Sequence, residues 1–224
     1  MERTSIVGLG SHIGKTVSIS GWVDVRRDHG KLVFLDIRDR SGKVQCVCLP
    51  NHAEAVTIAQ TLRPEWVVQI EGVVNERPEK MRTEDANGNI ELEVTKIVLL
   101  AEAQELPFEK DTQVNLDTYL DYLPLTPRSE RARAIFKVQA EITNAYRGFL
   151  GLEGFTEFQA PKLIGDDAEG GANVFSVPYF NDKVAHLGTS PQFYKQIMVG
   201  AMERVFSVGN VYRAEKHSTT RHLN

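Results

Sequence analysis

Residues 21–49 read GWVDVRRDHGKLVFLDIRDRSGKVQCVCL, a stretch in which apolar and polar side chains alternate. Alternation with a period of two is typical of a β-strand that buries one face. The polar pair Ser41-Gly42 interrupts the pattern, so the stretch predicts two strands joined by a turn. Their inward faces would carry Val33, Leu35, Ile37, Val44, Cys46 and Cys48.

The flanking segments supply three further strands and one helix. Residues 15–28 predict a preceding strand with a bulge or bend at Gly21. Residues 51–62 have helical composition, with Asn51 as the N-cap. The predicted order is three strands, a helix and two more strands, which is the order of the five-stranded Greek-key barrel called the OB-fold. Another small barrel would also accommodate these strands. The last two strands are predicted at residues 65–78 and 89–100.

After residue 126 the periodicity changes from strand-like to helical. Thr126-Pro127 supplies an N-cap and a first helical residue, and Gly151 and Gly154 would end that helix. We therefore expect an all-β OB-fold domain followed by part of an α+β domain. The predicted divisions are an OB-fold at 1–103, a linker at 104–126 and the α+β part at 127–224. The later elements are a strand at 155–163 that stops at Pro161, a helix from Ser190-Pro191 to about 203, and a strand at 204–215.

The composition is that of a globular protein in a reducing compartment. Hydrophobic residues make up 42% and charged residues 25% of the 224, and no apolar run is long enough to span a bilayer. The amino terminus lacks the apolar stretch of a signal peptide, so we expect a cytoplasmic protein. Cys46 and Cys48 would share a strand face about 7 Å apart, too far for a good disulfide. The net charge of −4 means that nucleic-acid binding would need a local basic patch.

The outer face of the predicted barrel has the side chains of a surface for single-stranded nucleic acid. Alternation puts Phe34 on the polar face of its strand and Gln45 on the outer face of the next. An aromatic ring can stack on a base, an amide can read a base edge, and guanidinium groups can hold phosphates. The alternative is that another part of the protein covers Phe34. The basic residues around it are Arg26, Arg27, Lys31, Arg38 and Arg40.

The second half carries candidate groups for a small carboxylate substrate. In SPQFYKQIMVGA, residues 190–201, Gln192, Lys195 and Gln196 fall on one face of the predicted helix. A lysine between two amides fits recognition of a carboxylate, although a solvated helix face would show the same pattern. Glu169 lies on a glycine-containing loop, where its carboxylate could pair with a substrate ammonium.

The last predicted strand adds groups suited to a nucleotide. Arg213 and Glu215 are two residues apart and would share a strand face, and Arg221-His222 follows after a polar loop. Arginine offers a planar fork to phosphate oxygens, and a glutamate can accept from an amine. Such a set would suit a nucleotide without a glycine-rich P-loop, and a salt-bridged hairpin is the alternative.

Several of these stretches resemble the class II aminoacyl-tRNA synthetases. VYRAEKHSTTRHLN, residues 211–224, resembles their motif 2, and the helix from 127 followed by residues 155–163 resembles their motif 1, with Pro161 as the characteristic proline. EGGANVF and TSPQFYKQ look like the amino-acid-binding segments of the aspartyl-tRNA synthetases. Residues 21–45 look like the anticodon-binding OB domain of those enzymes.

The resemblance implies roles for the candidate residues. Arg213 would be catalytic, stabilising charge on the α-phosphate of ATP and holding the substrate carboxylate, and Glu215 would contact the adenine amino group. Lys195 would pair with the side-chain carboxylate of aspartate and Glu169 with its ammonium. The remaining implied ligands are Gln192 for aspartate and Arg221 and His222 for ATP. In the barrel, the positions that match anticodon-binding residues are Arg27, Phe34, Gln45 and Arg77.

The resemblance also implies a reaction and partners. ATP and L-aspartate would give aspartyl-adenylate, with Mg2+ bridging phosphates, and tRNA(Asp) would then take the aspartyl group. Motif 1 implies a homodimer. The usual Mg2+ carboxylates and motif 3 are not in this sequence, so no metal ligand is expected within it. We expect the active enzyme to be a longer parent protein. The 224 residues alone are expected to bind a tRNA anticodon but not to activate aspartate.

Two residues of the predicted barrel concern the tRNA specificity of the enzyme. His29 and Pro78 resemble the residues at these places in relaxed aspartyl-tRNA synthetases, which also charge tRNA(Asn). A proline removes a backbone donor and stiffens its loop, but ordinary turn residues would look the same.

Three alternative assignments stay open. The nearest is an asparaginyl-tRNA synthetase, against which Lys195 argues because an ammonium suits a carboxylate better than an amide. A lysyl enzyme would need acidic selectivity residues, mostly beyond this sequence. A non-catalytic RNA-binding paralogue would keep the barrel and lose the activating groups.

Overall fold

A computed structural model describes residues 2–109, 111–166 and 173–215 of the chain. They fall into two compact units, residues 1–109 and 110–224. None of the described helices is long and apolar enough to cross a membrane. The finer division at residues 103 and 127 stays a prediction.

The first unit is a closed barrel of five strands. Neighbouring strands pair antiparallel except β3 and β5, which pair in parallel and close the barrel. This order is that of an OB-fold, which confirms the predicted fold. In order around the barrel, the strands are β1 (Thr16–Asp28), β2 (Val33–Arg38), β3 (Lys43–Cys48), β5 (Ile90–Ala101) and β4 (Val67–Glu76). Helix α1 (Ala53–Thr61) lies between β3 and β4 in the chain, and short 3-10 helices occupy Ile6–His12 and Glu79–Met81.

The barrel interior is filled by the alternate apolar side chains of its strands. Val33, Leu35 and Ile37 are fully buried, as the alternation in β2 predicts. In β3 the inward face is also as predicted, and both of its cysteines are buried and unbridged. Burial raises the pKa of the Cys48 thiol to about 12, so the thiol stays protonated and packs as a small apolar group. Val47, which alternation places on the same outer face of β3 as Gln45, is also buried.

The turn at Ser41-Gly42 forms as predicted and is organised by Asp39. One oxygen of this carboxylate accepts from the backbone N–H groups of Ser41 and Gly42, at 2.7 and 3.1 Å. The other accepts from the N–H of Ile6 at 3.1 Å, where the first 3-10 helix begins. Burial disfavours the charge on Asp39, but these bonds outweigh it, and the pKa of the carboxyl is lowered.

The bulge in β1 does not lie at Gly21, where the sequence predicts a bulge or a bend. The register between β1 and β2 shifts between Val23 and Val25, so the extra residue is Asp24. Gly21 serves another purpose, because a Cβ there would lie 2.3 Å from the carbonyl oxygen of Arg38. The glycine therefore allows the two backbones to approach closely. The helix N-cap was also misplaced, since the N-cap position of α1 is His52 and not Asn51, and the His52 side chain makes no capping hydrogen bond.

The second unit combines helices with two small sheets. The long helix α3 (Glu130–Leu152) begins at Ser129, whose hydroxyl accepts from the N–H of Ala132 at 3.3 Å. The predicted cap at Thr126 instead starts a separate 3-10 helix, Thr126–Arg128. Gly154 follows the end of α3 with φ +79°, consistent with its predicted role as a terminator. The remaining helices are α2 (Leu116–Asp121), within the predicted linker, and α4 (Gln192–Met202).

The strands of this unit are shorter than the sequence predicts. The predicted strand at 155–163 contributes β6 (Thr156–Glu157), which pairs in parallel with β10 (Val205–Phe206). The strand predicted at 204–215 is likewise regular only over β10. A separate sheet has the order β7-β9-β8. Its strands are β7 (Leu163–Ile164), β9 (Val184–Leu187) and β8 (Ser176–Pro178).

Candidate functional site

Gln45 is the centre of a polar network on the outside of the barrel. Its Oε1 accepts from Nη2 of Arg77 at 3.2 Å and from Nη2 of Arg27 at 3.4 Å. Its Nε2 donates to Oε2 of Glu91 at 3.3 Å. Asp36, which pairs with Gln45 across β2 and β3, accepts two bonds of 2.9 Å from the Arg27 guanidinium. The structure therefore brings three of the predicted anticodon-binding side chains into direct contact.

Phe34 extends this network on the same strand pair. It lies opposite Arg27 in the register of β1 and β2, and its side chain is half-buried. The His29 ring meets it edge to face at 5.8 Å between centroids. Pro78 directly follows Arg77 and precedes the 3-10 helix Glu79–Met81. These contacts and neighbours define a continuous surface, the Gln45 face, made of Arg27, His29, Phe34, Gln45, Arg77 and Pro78.

The charges on the Gln45 face are closely paired. Hydrogen bonding to Asp36 raises the pKa of Arg27, because the carboxylate stabilises the charged guanidinium. Nε of Arg77 lies 4.0 Å from Oε2 of Glu91, and it is a buried nitrogen for which the described residues supply no hydrogen-bond partner. The face therefore combines ion pairs with a buried donor, Nε of Arg77, that the described part of the chain leaves unsatisfied.

Arg38 does not contribute to a phosphate-binding surface, contrary to the prediction. It is only 6% exposed and forms ion pairs with Asp24, at 2.9 Å, and with Glu65. Its guanidinium also lies over the Trp22 ring, 5.0 Å from the centroid. The side chain therefore holds together β1, β2 and the segment before β4. Arg26 similarly donates to a backbone carbonyl, that of Gln60.

In the second unit, backbone hydrogen bonds bring together three of the predicted substrate-binding segments. The N–H of Tyr212 donates to the carbonyl of Gly188 at 3.0 Å, four residues before α4 begins. The N–H of Ala214 donates to the carbonyl of Asn173 at 2.8 Å. The segment that carries Arg213 and Glu215 is therefore fixed beside the start of α4 and beside the end of the loop that contains Glu169.

The side chains on these segments are at least partly accessible. Gln192 and Lys195 on α4 are half-buried, while Gln196 is exposed. Arg213 is exposed and Glu215 is half-buried. These two residues do not lie on a regular strand, so the prediction of a shared strand face was wrong. Glu169, Arg221 and His222 lie outside the described residues.

Comparisons with known proteins cover both units. Residues 17–100 match the OB-fold nucleic acid binding domain family, and residues 115–224 match the class II tRNA synthetases for D, K and N. An aspartate–tRNA(Asp/Asn) ligase from Deinococcus radiodurans is 42% identical over 228 residues, which cover 100% of this chain and 49% of the relative. The ligase of the same name from Thermus thermophilus is 40% identical over 99% of this chain and 50% of its own length.

Residues 115–224 therefore belong to a class II tRNA synthetase domain, and residues 17–100 belong to an OB-fold nucleic acid binding domain. A crystal structure of asparaginyl-tRNA synthetase from Pyrococcus horikoshii, complexed with asparaginyl-adenylate, matches this chain with a TM-score of 0.89 and 33% identity. The match covers 100% of this chain and 51% of that one. The chain thus spans about half the length of the curated relatives that it matches.

Asp36 and Glu91 also contribute to the Gln45 face, and the sequence analysis did not identify them as functional residues. Alternation alone puts Asp36 on the same side of β2 as Phe34, so its proximity to Arg27 could have been found from the sequence. Glu91 required the register of β3 with β5, which brings two distant parts of the chain side by side. No group of three or more His, Cys, Asp or Glu side chains suited to a metal ion occurs among the residues that the structure describes.

Proposed function

We propose that the protein containing this chain is an aspartate–tRNA ligase, which activates L-aspartate with ATP and transfers it to tRNA(Asp). The observation that carries the proposal is the match of the whole chain, at about 40% identity, to ligases with that name. The backbone bonds of Tyr212 and Ala214 support it, because they hold the candidate ATP-binding segment beside the candidate aspartate-binding helix.

In the first step, a carboxylate oxygen of aspartate attacks the α-phosphate of ATP, and pyrophosphate leaves. Arg213 holds the α-phosphate and the attacking carboxylate, so its charge compensates the negative charge that develops there. Glu215 accepts from the adenine amino group. Arg221 and His222, outside the described residues, bind the triphosphate. The second product of this step is aspartyl-adenylate.

The substrate amino acid is selected by groups on α4 and by Glu169, which comes earlier in the chain than β8 and β9. The Lys195 ammonium pairs with the side-chain carboxylate of aspartate, and Gln192 helps to orient the substrate. Glu169 binds the substrate ammonium. In the second step, a hydroxyl of the terminal adenosine of the tRNA attacks the aspartyl carbonyl, and AMP leaves.

Mg2+ would neutralise the ATP phosphates during activation. No cluster of metal ligands occurs among the described residues, and we propose that the residues that would hold the metal lie in the longer parent protein, beyond these 224 residues.

The Gln45 face is proposed to bind the anticodon. Phe34 stacks on a base, Gln45 reads a base edge, and Arg27 and Arg77 hold the backbone and orient Gln45. His29 and Pro78 are part of this face. They are proposed to let it accept the anticodon base by which tRNA(Asn) differs from tRNA(Asp). Support comes from the two relatives above, both of which carry the name aspartate–tRNA(Asp/Asn) ligase.

A homodimer built through motif 1 is part of the proposal. Helix α3 bears an apolar stripe that is more than half exposed, which is unusual for side chains of this kind. The stripe consists of Ile135, Val138, Ile142 and Phe149. A cytoplasmic location is also proposed, and the two unbridged cysteines of the barrel support it.

An asparaginyl-tRNA synthetase is the second candidate, because a solved enzyme of that kind shares the fold of the whole chain. The two candidates differ in the amino acid that they activate. ATP–pyrophosphate exchange by the complete protein should depend on aspartate and not on asparagine, and Arg213→Ala should abolish it without changing the fold. Exchange that responds to asparagine would support the second candidate. The 224-residue chain alone should give no exchange.

Relaxed tRNA specificity has its own test. The complete protein should aspartylate transcripts of tRNA(Asp) and tRNA(Asn) with similar efficiency. A preference for tRNA(Asp) of about a hundredfold, roughly 2.7 kcal/mol, would mean a discriminating enzyme and would remove the proposed role of His29 and Pro78.

A further inference from the structure

The loop between β1 and β2, residues 29–32, carries His29 at the edge of the Gln45 face. The N–H of His29 donates to the carbonyl of Leu32 at 2.8 Å, and the N–H of Gly30 donates to Oδ1 of Asp28 at 2.8 Å. Gly30 has φ +77°, which glycine adopts without strain. These bonds set the internal shape of the loop, but they do not attach it to the rest of the barrel.

Gln60, in the last turn of α1, supplies that attachment. Its Nε2 donates to the carbonyl of Gly30 at 3.1 Å. Because Gly30 follows His29 directly, this bond holds the stretch of backbone from which the His29 ring projects. The loop is therefore held at two points, by Gln60 through the Gly30 carbonyl and by the contact of the His29 ring with Phe34.

Arg26 in turn fixes the end of α1 that carries Gln60. Its guanidinium, on β1, donates to the backbone carbonyl of Gln60. The last carbonyls of a helix have no partner within the helix, and a positive charge is favourable at that end. The two bonds run in opposite directions, from β1 to the helix and from the helix back to the loop. Together they join the end of α1 to the hairpin of β1 and β2.

We propose that Gln60 is a positioning residue for anticodon binding, which holds the β1–β2 loop so that the His29 ring stays against Phe34 before RNA arrives. This inference rests on the proposed function of the Gln45 face. A loop that is already held in its bound position loses less conformational freedom on binding, and the gain appears as affinity. Gln60 therefore lowers the KM for tRNA and leaves the chemical step unchanged.

The test uses the complete protein and two substitutions of one kind. Gln60→Met keeps the length, the charge and the helix propensity of the side chain but removes the donor to Gly30. Gln69→Met is the matched control, because Gln69 also donates one bond through Nε2, to Oγ of Ser18 at 3.1 Å. Gln69 pairs with Ser20 in the first half of β1, whereas the loop follows the end of that strand.

Three quantities separate positioning from a general effect on the enzyme: the kcat and the KM for aspartylation of a tRNA(Asp) transcript, and ATP–pyrophosphate exchange with aspartate and without tRNA. Gln60→Met should raise the KM for tRNA(Asp) by about fivefold, the scale of one hydrogen bond, with kcat and exchange unchanged. Gln69→Met should leave all three unchanged. A KM that does not respond to Gln60→Met, or that rises equally with both substitutions, would overturn the inference.

A double substitution tests whether Gln60 acts through the loop. In a His29→Ala background, Gln60→Met should add little to the KM for tRNA(Asp), because the ring that Gln60 positions is already gone. An undiminished fivefold effect in that background would assign Gln60 to the general stability of the barrel and would overturn the inference. Gln60→Ala serves in the same comparisons if Gln60→Met does not fold.

Failure of the inference is distinguishable from failure of the proposed function. If the unsubstituted protein does not charge tRNA(Asp), or if His29→Ala and Phe34→Ala both leave the KM for tRNA unchanged, the proposed function of the Gln45 face fails and the inference fails with it. If those two substitutions raise the KM but Gln60→Met and Gln60→Ala do not, only the positioning role of Gln60 fails.

Discussion

The rings of His29 and Phe34 meet edge to face, with their centroids 5.8 Å apart and their planes at 81°. His29 lies just after β1 and Phe34 lies on β2, so the contact joins the loop to the strand pair. The Phe34 side chain is not fully buried and stays partly exposed on the outer surface. The contact holds a ring in place for stacking without placing it in the barrel core.

Replacement of Phe34 by alanine should weaken binding of the tRNA(Asp) anticodon stem-loop by about 1–3 kcal/mol, the scale of one stacked base. The melting temperature of the barrel should change little, because Phe34 is not part of the interior. Phe34→Tyr, which keeps a ring, should bind nearly as well as the original chain. A large fall in melting temperature with unchanged RNA binding would assign Phe34 to packing instead.

Arg38→Ala should destabilise the barrel by about 3–5 kcal/mol, since it removes two ion pairs between Arg38 and the buried carboxylates of Asp24 and Glu65. Urea unfolding measures this loss. Arg40→Ala is the control, because Arg40 is exposed and only two residues away. Equal effects of the two substitutions would mean that the Arg38 ion pairs contribute little to stability.

Asp39 should make the barrel sensitive to acid. Its pKa in the folded chain is lowered from 3.8, so the stability that it contributes is present above that value and is lost as the pH falls through the lower folded value. Asp39→Asn should therefore be less stable than the original chain at pH 7, and the gap should narrow toward pH 3. Urea midpoints at several pH values would show this, and a gap independent of pH would contradict it.

Lys195→Ala in the complete protein should raise the KM for aspartate by about ten- to a hundredfold and leave the KM for ATP nearly unchanged. The reason is the loss of a charge-assisted hydrogen bond to the substrate side chain, about 1.5–3 kcal/mol. Gln196→Ala, on an exposed neighbouring position of α4, is the matched control. Equal increases in both KM values would indicate that Lys195 supports the fold of the helix.

The barrel could be predicted from sequence because its signals are local. The alternation of Val33, Leu35 and Ile37 fixes which face of β2 is buried, and Asp39 and Gly42 mark the turn that follows. The bulge could not be placed in this way. Gly21 carries a common bulge signal, but the structure needs a glycine there because a side chain would clash with the backbone of Arg38 on another strand.

The second unit was predicted less well because its strands depend on partners distant in sequence. Residues 204–215 have strand composition, yet only Val205 and Phe206 find regular pairing, with Thr156 and Glu157. Arg213 was therefore expected on a strand, whereas its segment is held by the bonds of Tyr212 and Ala214. In the barrel, alternation along the strand identified Gln45 as an outward-facing residue. The ion pairs around Gln45 depend on which residues of neighbouring strands lie opposite each other, and local sequence patterns do not specify that register.

Aminoacylation by the complete protein tests the central claim most directly. The complete protein would be incubated with ATP, a transcript of tRNA(Asp), and either labelled aspartate or labelled asparagine. The account predicts ATP-dependent attachment of aspartate to the tRNA and no attachment of asparagine. Attachment of asparagine, or no attachment of aspartate by a folded protein that binds the tRNA, would contradict it.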